Sequence, residues 1–506
     1  MGAGKSTAAV SAAQALGVEA IDVDREIEAR LGRTVQEIFA ADGEPSFRGA
    51  EERITLELLA RRESDRTVVA LGGGAIGSAA VREALRAHVV VWIAIDQETA
   101  WTRCRGGSRP LATDRDRFMR LHAEREPLYA AAADVVVGAE RSDALGPVLA
   151  ALEGVPPGVK LLWAATESGD YPAYVGPGLL RASGGGHSFW PATVGGRRFV
   201  VTDYNAGRLY SDRLGETDGR VTVMPGEQSK TVAHAEIVWT ELARAGMTRA
   251  DVVVALGGGV VGDLAGFCAA TYQRGVRLVQ VPTTLVAQVD SAYGGKTGVD
   301  LAEAKNYVGA YHQPQAVIAD TDTLATLPAQ ELAAGYAEVV KTALIAGGSL
   351  WDAVAAGAGW ESPEWPAVVA ACARTKLSVV ARDERDEGVR QVLNLGHTIG
   401  HAIETVTGYA TYRHGEAVAL GLLAALRISG AAALREQVAE LLRERGLPTG
   451  GGRFDADAVV MATARDKKRV GAGPVPFVLL SEPGRPRAGC EVASRDLIAA
   501  VRELVR

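Results

Sequence analysis

Residues 251–267 read DVVVALGGGVVGDLAGF. A β-branched apolar run, three glycines and a small-residue stretch follow one another, which describes a buried strand turning through Gly257, Gly258 and Gly259 into a helix. Similar runs stand at VVAL (68–71), VVVWIAI (89–95), DVVV (134–137), RFVVTD (198–203) and RLVQVP (277–282), separated by Ala/Leu/Arg-rich stretches. Continuous apolar strands alternating with helices indicate a parallel sheet covered on both faces, so an α/β chain is expected. VVALGGGAIG (68–77) nearly repeats the opening of the fragment. We read the twin as the same strand-to-turn geometry reached twice, not as a duplication.

Working outward, Pro and Gly gather at GVPPG (154–158) and YPAYVGPG (171–178), and a boundary is placed near residue 156. Beyond about residue 325 the strand-like runs fade and segments such as EAVALGLLAALRISGAAALREQVAELLRERG dominate. Three parts follow: 1–155, a strand-rich 156–325 and a helical 326–506, to which PVPFVLL (474–480) adds one strand. The chain has 506 residues, 47% of them hydrophobic, and a formal net charge of −7. That composition folds, and it offers no global basic field for nucleic acid or an anionic membrane. Four dispersed cysteines form no readable disulfide framework or zinc knuckle, and no uncharged apolar run reaches the roughly 18–20 residues of a spanning helix. The expectation is a cytoplasmic protein that acts on small molecules.

The chain opens MGAGKST, in which Gly4, Lys5 and Ser6 match the end of the G-x-x-x-x-G-K-[ST] phosphate loop. There backbone N–H groups hold phosphates, the lysine neutralises them and the hydroxyl ligates Mg²⁺. Asp22 and Asp24 stand as D-x-D at the end of an expected strand, EAIDVD, whose alternate side chains share a face. FRGAEE supplies Arg48, LGGGA supplies Gly72, Gly73 and Gly74, SRPL supplies Arg109 and REPLY supplies Arg125. In this order the set resembles shikimate kinase over most of residues 1–150. The resemblance implies a P-loop sheet, ATP held by Gly4, Lys5 and the lid residue Arg109, and Mg²⁺ at Ser6 and Asp22. It also implies shikimate bound by Asp24, Arg48, Gly72–Gly74 and Arg125, with Asp24 orienting or deprotonating the attacking hydroxyl. Arginines suit a carboxylate, an aspartate suits hydroxyls, and glycine alone lets backbone approach the ring. Two features depart from the pattern. The leading glycine of the loop would lie two positions before Met1 and the strand feeding it is missing, so the natural product is expected to extend upstream by about a strand's length. The lid, RCRGGSRPLATD, is one residue short. A kinase remnant that only stabilises the rest of the chain is the alternative.

In the fragment at 251–267, Gly257, Gly259 and Gly262 form G-x-G-x-x-G, but no acidic residue follows at a strand end about 20 positions on. A dinucleotide would be held elsewhere: Asp203 in VVTDYN is a candidate for its ribose, and Glu227, Lys230, Thr283 and Thr284 add polar loops at strand ends. Three of the eight histidines fall within LNLGHTIGHAIETVTGYATYRH. His397 and His401 share a helix face, His414 follows, and Glu338 in GYAEVVK lies on an earlier helix. The spacing is not HExxH, which speaks against a metalloprotease. It allows a His₂Glu site with open positions, or capping and core histidines.

VDSAYGGKTGVD, EAKNYVG, AEVVK, RQVLNLGHTIGH and RHGEAVA, in order with GGGVVGDLAGF, resemble 3-dehydroquinate synthase across roughly residues 170–480. The resemblance implies a unit with an α/β NAD-binding front and an all-helical metal-binding back, and the apolar helical back suggests a homodimer. Zn²⁺ (or Co²⁺) would be held by Glu338, His397 and His414, with His401 beside it. Gly258 and Asp263 would join the NAD set. The substrate pocket would take Arg274, Asp290, Lys296, Lys305, Asn306, Lys341, Lys376, Arg390 and Asn394, with Lys467 or Lys468 in RDKK; Asp386 stands where the family usually has Glu. The implied reaction cyclises 3-deoxy-D-arabino-heptulosonate 7-phosphate to 3-dehydroquinate with loss of phosphate. A substrate carrying a carboxylate and a phosphate explains so many lysines and arginines in a chain of net negative charge. Another sugar-phosphate cyclase and a metal-dependent polyol dehydrogenase are the alternatives.

Overall fold

A computed structural model describes residues 2–61, 67–105, 114–181, 188–301, 305–463 and 475–505. The chain forms two compact units, Met1–Ala165 with Pro191–Thr193, and Thr166–Trp190 with Val194–Arg506.

In the front unit β1 (Glu19–Asp22) pairs in parallel with β2 (Thr67–Ala70), while β3 (Val91–Ala94), β4 (Val135–Gly138) and β5 (Lys160–Ala164) form a second parallel set. β2 and β3 are not paired with each other. Between them lies a groove of about 390 Å³, lined by Val68, Val69, Val91 and Ile93 and by Ala8, Ala9 and Ala12 of the helix Lys5–Leu16.

The back unit carries β6 (Tyr171–Gly176), β7 (Arg198–Asp203), β8 (Gly219–Val223), β9 (Val252–Gly257), β10 (Arg277–Pro282), the antiparallel pair β11 (Lys296–Val299) and β12 (Val308–Tyr311), and β13 (Ala316–Asp320). Six of them form a parallel sheet in the order β6, β13, β10, β9, β7, β8. β9 and β10 lie in register from Val252↔Arg277 to Gly257↔Pro282, and every residue of β9 is buried, as its unbroken apolar run requires. The stretch YPAYVG, taken above as part of a boundary, is instead β6, buried along its whole length. Pairing with β13 begins at Ala173, so the N–H that Pro172 lacks removes no bond from that ladder.

The helical half starts at Ala329–Ala346, which is buried without interruption from Leu332 to Ile345 and behaves as a core helix. His414–Ile428 packs beside it, and His397–Val406 packs in turn on His414–Ile428. Glycine sets the spacing: a Cβ on Gly415 would lie 1.9 Å from the Ala334 carbonyl oxygen, and one on Gly421 would lie 2.0 Å from that of Gly396. This half is not purely helical, because β14 (Phe477–Leu479) and β15 (Arg487–Cys490) form a short antiparallel pair within it. Among the described residues no helix is long and apolar enough to cross a membrane.

Candidate active site

In the back unit the strand ends, the glycine turn and four helices of the helical half line a cavity of about 1300 Å³. Gly258 caps the helix Gly259–Thr271, so the first backbone N–H groups of that helix face the cavity, an arrangement suited to a pyrophosphate. Around this turn Asp203, Glu227, Lys230, Asp263, Thr283 and Thr284 also line the cavity. Asp203 is partly committed, its Oδ1 accepting from the Ala206 N–H at 2.9 Å as the cap of the next helix. Lys230 Nζ is buried against Asp263 Oδ2 at 2.6 Å. Gly257 and Gly262 do not line the cavity. A Cβ on Gly262 would come within 2.9 Å of Gln280 Oε1 of β10, so that glycine serves close helix–strand packing.

His401 and His414 line the same cavity, and Glu338 and His397, which stand outside its lining, bring their ligand atoms within 4.8 Å of that of His414. Glu338 Oε1 lies 3.3 Å from His397 Nε2 and 3.4 Å from His414 Nε2, and Oε2 lies 2.5 Å from Lys341 Nζ. Both carboxylate oxygens are buried, and neither has an aligned hydrogen bond among the described residues. Two imidazole nitrogens converging on one oxygen of a buried carboxylate is the donor set of a divalent cation, so the residues fit a metal. Burial opposes ionisation of Glu338, but Lys341 and His397 outweigh it and hold the carboxyl well below its usual range. Burial lowers His397 and favours the neutral ring a ligand needs. His401, half-buried one turn after His397, has its ring 5.3 Å from that of His397 and 5.9 Å from that of His414.

Asp290, in the turn Ala287–Ser291, accepts from Lys341 Nζ at 3.1 Å and from Lys376 Nζ. Burial raises its carboxyl, yet the two ammoniums outweigh burial and keep it ionised. One carboxylate shared by two lysines cannot hold both equally, and burial pushes Lys376 down to about 8 with Lys341 and Arg390 nearby. Lys305 reaches Glu404 Oε1 at 3.4 Å and Glu227 Oε1 at 3.5 Å, and Asn306 follows it at φ 53°, its N–H donating to Asp300.

Other expected pocket residues lie elsewhere. Arg390 is fully buried, its guanidinium donating to the carbonyls of Glu384 at 2.5 Å and Gly294 at 3.0 Å, so it braces the loop before Lys296 and does not line the cavity. Lys296 pairs with Asp386 outside the cavity lining. Arg274 is exposed on a tight turn in the left-handed region, φ 68°, and Asn394 ends a short 3₁₀ turn; neither lines the cavity. Lys467 and Lys468 lie outside the described residues, as does Arg109.

The front unit gathers its own set. Gly4, at φ 87°, starts the helix that carries Lys5 and Ser6, and Ser6 Oγ donates to Asp22 Oδ2 at 2.5 Å. Asp22 and Asp24 do not alternate along one strand as expected: β1 ends at Asp22, whose Oδ1 caps the helix Val23–Leu31, so Asp24 falls in its first turn. Asp24 still faces the glycine turn, because a Cβ on Gly72 would lie 3.0 Å from its Oδ1. The Arg48 guanidinium occupies the space a Gly74 side chain would need, and Arg125 Nη1 donates to the Gly73 carbonyl at 3.1 Å.

Residues 220–334 match the family model of the 3-dehydroquinate synthase N-terminal region, 335–469 that of its C-terminal region, and 1–152 that of shikimate kinase. A 3-dehydroquinate synthase of Halorhodospira halophila (strain DSM 244 / SL1) is 43% identical over 355 residues, 68% of this chain and 99% of the relative. The chain belongs to the 3-dehydroquinate synthase family. Within that family, the enzyme of Symbiobacterium thermophilum is 44% identical over 62% of this chain and 92% of its own length. The 2-epi-5-epi-valiolone synthase of Streptomyces hygroscopicus subsp. jinggangensis 5008, solved with NAD⁺ and Zn²⁺, is 25% identical at a TM-score of 0.60, covering 67% of this chain and 98% of that one. A 2-deoxy-scyllo-inosose synthase solved with carbaglucose-6-phosphate, NAD⁺ and Co²⁺ is 25% identical at 0.59, over 68% of this chain and 99% of that one.

In this synthase with its shikimate kinase unit, three residues near the sites were missed in the sequence. Glu404 accepts from Lys305 and faces His414 Nδ1 at 3.3 Å; it follows His397 by seven positions and His401 by three, a helical spacing that pointed to it. In the kinase unit, buried Glu51 receives Arg48, and the Tyr129 hydroxyl donates to the Gly73 carbonyl at 2.6 Å. Local sequence carried no signal for either.

Proposed function

We propose that the back unit converts 3-deoxy-D-arabino-heptulosonate 7-phosphate to 3-dehydroquinate with NAD and a zinc or cobalt ion, and that the front unit transfers phosphate from Mg²⁺-ATP to shikimate. The observation that carries the reading is the buried carboxylate of Glu338 with two imidazoles converging on it, one of which, His414, lines the same cavity as a glycine-capped helix N-terminus. When bound, the metal supplies Lewis acidity at a substrate hydroxyl and the dinucleotide a reversible hydride acceptor. Glu338, His397 and His414 would hold the ion, and the N-terminus of Gly259–Thr271, with Asp203, Thr283 and Thr284, would hold the dinucleotide. Lys305 and the ammoniums around Asp290 draw the anionic substrate in, and Asp290, kept ionised by Lys341 and Lys376, orients its hydroxyls. His401, beside the imidazole pair, is placed to hold or pass a proton as phosphate leaves. The enclosing walls limit water around the intermediates.

In the kinase unit Arg48 and Arg125 take the shikimate carboxylate and Asp24 its reacting hydroxyl, while Lys5, Ser6 and Asp22 serve the phosphates and their metal. Arg109 would close over the nucleotide. A cytoplasmic setting and a homodimer through the synthase unit complete the reading.

The test is product identification by NMR. Incubation with NAD⁺, Zn²⁺ and 3-deoxy-D-arabino-heptulosonate 7-phosphate should yield 3-dehydroquinate and one equivalent of phosphate, without net NADH at 340 nm. Sedoheptulose 7-phosphate, which lacks the carboxylate, should not be cyclised; its turnover in place of the acid would overturn the substrate assignment. ATP-dependent formation of shikimate 3-phosphate tests the front unit.

A further inference from the structure

Glu404 lies in the last turns of the helix His397–Val406 and its side chain is 4% exposed. An isolated carboxylate at that depth would be strongly disfavoured, so its partners define its purpose. Oε2 lies 3.3 Å from His414 Nδ1, and Oε1 accepts from Lys305 Nζ at 3.4 Å. The Lys305 ammonium also sits 4.4 Å from the centre of the Tyr409 ring, and the Tyr409 N–H donates to the Glu404 carbonyl at 2.8 Å. Both carboxylate oxygens are therefore engaged, by groups whose own far sides face the cavity.

The consequence for His414 is chemical. In a neutral imidazole one ring nitrogen donates and the other accepts. With a cation held at Glu338, a carboxylate at Nδ1 would keep the proton there and leave the Nε2 lone pair for the ion, on the side where Glu338 lies 3.4 Å away. His397 has a different support: its Nδ1 lies 3.2 Å from the carbonyl of Leu395. Each histidine thus has a backing acceptor on the nitrogen remote from Glu338. Glu404, His401 and His414 also lie close enough together to suggest a second cation. The Lys305 ammonium already neutralises Glu404, which argues against that.

We infer that Glu404 is a positioning residue for both halves of the site: one oxygen sets the tautomer and aim of His414, and the other tethers Lys305 over the same cavity. The inference rests on the reading that Glu338, His397 and His414 hold a metal. It goes beyond that reading by assigning one buried carboxylate the joint alignment of a metal ligand and a substrate cation.

The test uses the full chain with substitutions E404Q and E404D, each checked for folding by circular dichroism. Zn²⁺ affinity of the apo protein is measured by competition with a chromophoric chelator, and the visible spectrum is recorded with Co²⁺. We expect E404Q to weaken metal binding by about 10–100-fold and to shift the Co²⁺ bands, because the ligand loses its backing charge. KM for the sugar phosphate should rise in the metal-saturated variant, through the loosened lysine. E404D, which keeps the charge on a shorter stem, should recover part of both. Wild-type metal affinity and an unchanged Co²⁺ spectrum in E404Q would overturn the inference. If E404Q does not fold, the same outcome in E404D overturns it. H397A separates the two ideas: loss of metal there with E404Q unaffected removes only the role of Glu404, whereas full metal affinity in H397A removes the metal site itself.

Discussion

Glu338 sits in the interior, ion-paired through Oε2 with Lys341 at 2.5 Å, while its Oε1 faces the imidazoles of His397 and His414 at 3.3 and 3.4 Å. Glu338→Gln and His397→Ala should each drop bound metal to background, measured by elemental analysis. Phosphate release should fall on the order of 10³-fold or more, because the Lewis acid goes with the ligand. Lys376 offers a pH signature. Its ammonium is destabilised by burial to about 8, so it is charged below that pH and neutral above it. KM for the anionic substrate should therefore rise from pH 7 to 10 with an inflection near 8. Lys376→Arg, which keeps its charge, should remove the inflection; a flat profile in the unaltered enzyme would remove Lys376 from substrate binding. Histidine spacing made His397 and His401 legible, since i and i+4 share a face. It could not say which of the three histidines would meet Glu338, because that is decided by how separate helices dock.

At the scale of elements, the metal-site helices approach as closely as they do because residue 415 has no side chain. A Cβ there would lie 1.9 Å from the backbone oxygen of Ala334, and neither helix can yield locally. Gly415→Ala should push His414 away from Glu338, weaken Zn²⁺ binding and cost about 1–3 kcal/mol by denaturant titration. The sheet has a comparable clamp. Arg197 grips Asp251 through Nε at 3.1 Å and Nη2 at 2.8 Å, and the Thr248 N–H and hydroxyl add bonds of 2.6 and 2.8 Å, joining the approaches to β7 and β9. The Arg197 bonds lead in holding the Asp251 carboxyl down to about 2, below its unfolded value near 4. Its stabilisation is thus complete above about pH 4 and is lost as pH falls through about 2. Asp251→Asn should flatten that part of the stability curve in acid titrations followed by circular dichroism. The strands themselves were legible as apolar runs. β6 was not, because Pro172 and the glycines around it mark a turn unless the ladder beside them is known.

For the whole molecule, the synthase residues all fall in one compact unit and the kinase residues in the other. Their chemistries should be separable in one sample. A zinc-selective chelator that spares Mg²⁺ should abolish phosphate release from the sugar phosphate while leaving shikimate phosphorylation unchanged. Equal loss of both activities would show that the two sites share a requirement.

The sequence by itself determined the α/β class and the strand-to-turn geometry at Gly257–Gly259, and it offered His397, His401, His414 and Glu338 as candidates for a metal site. These follow from periodicity and residue type, which act over a few neighbouring positions. Tertiary structure alone decided that Arg390 braces a backbone loop, that Arg274 stays outside the cavity, that Asp24 rides on a helix, and that Glu404 stands behind His414. Each of those outcomes depends on which distant surface a side chain is buried against, and burial is settled only when the helices and the sheet have packed.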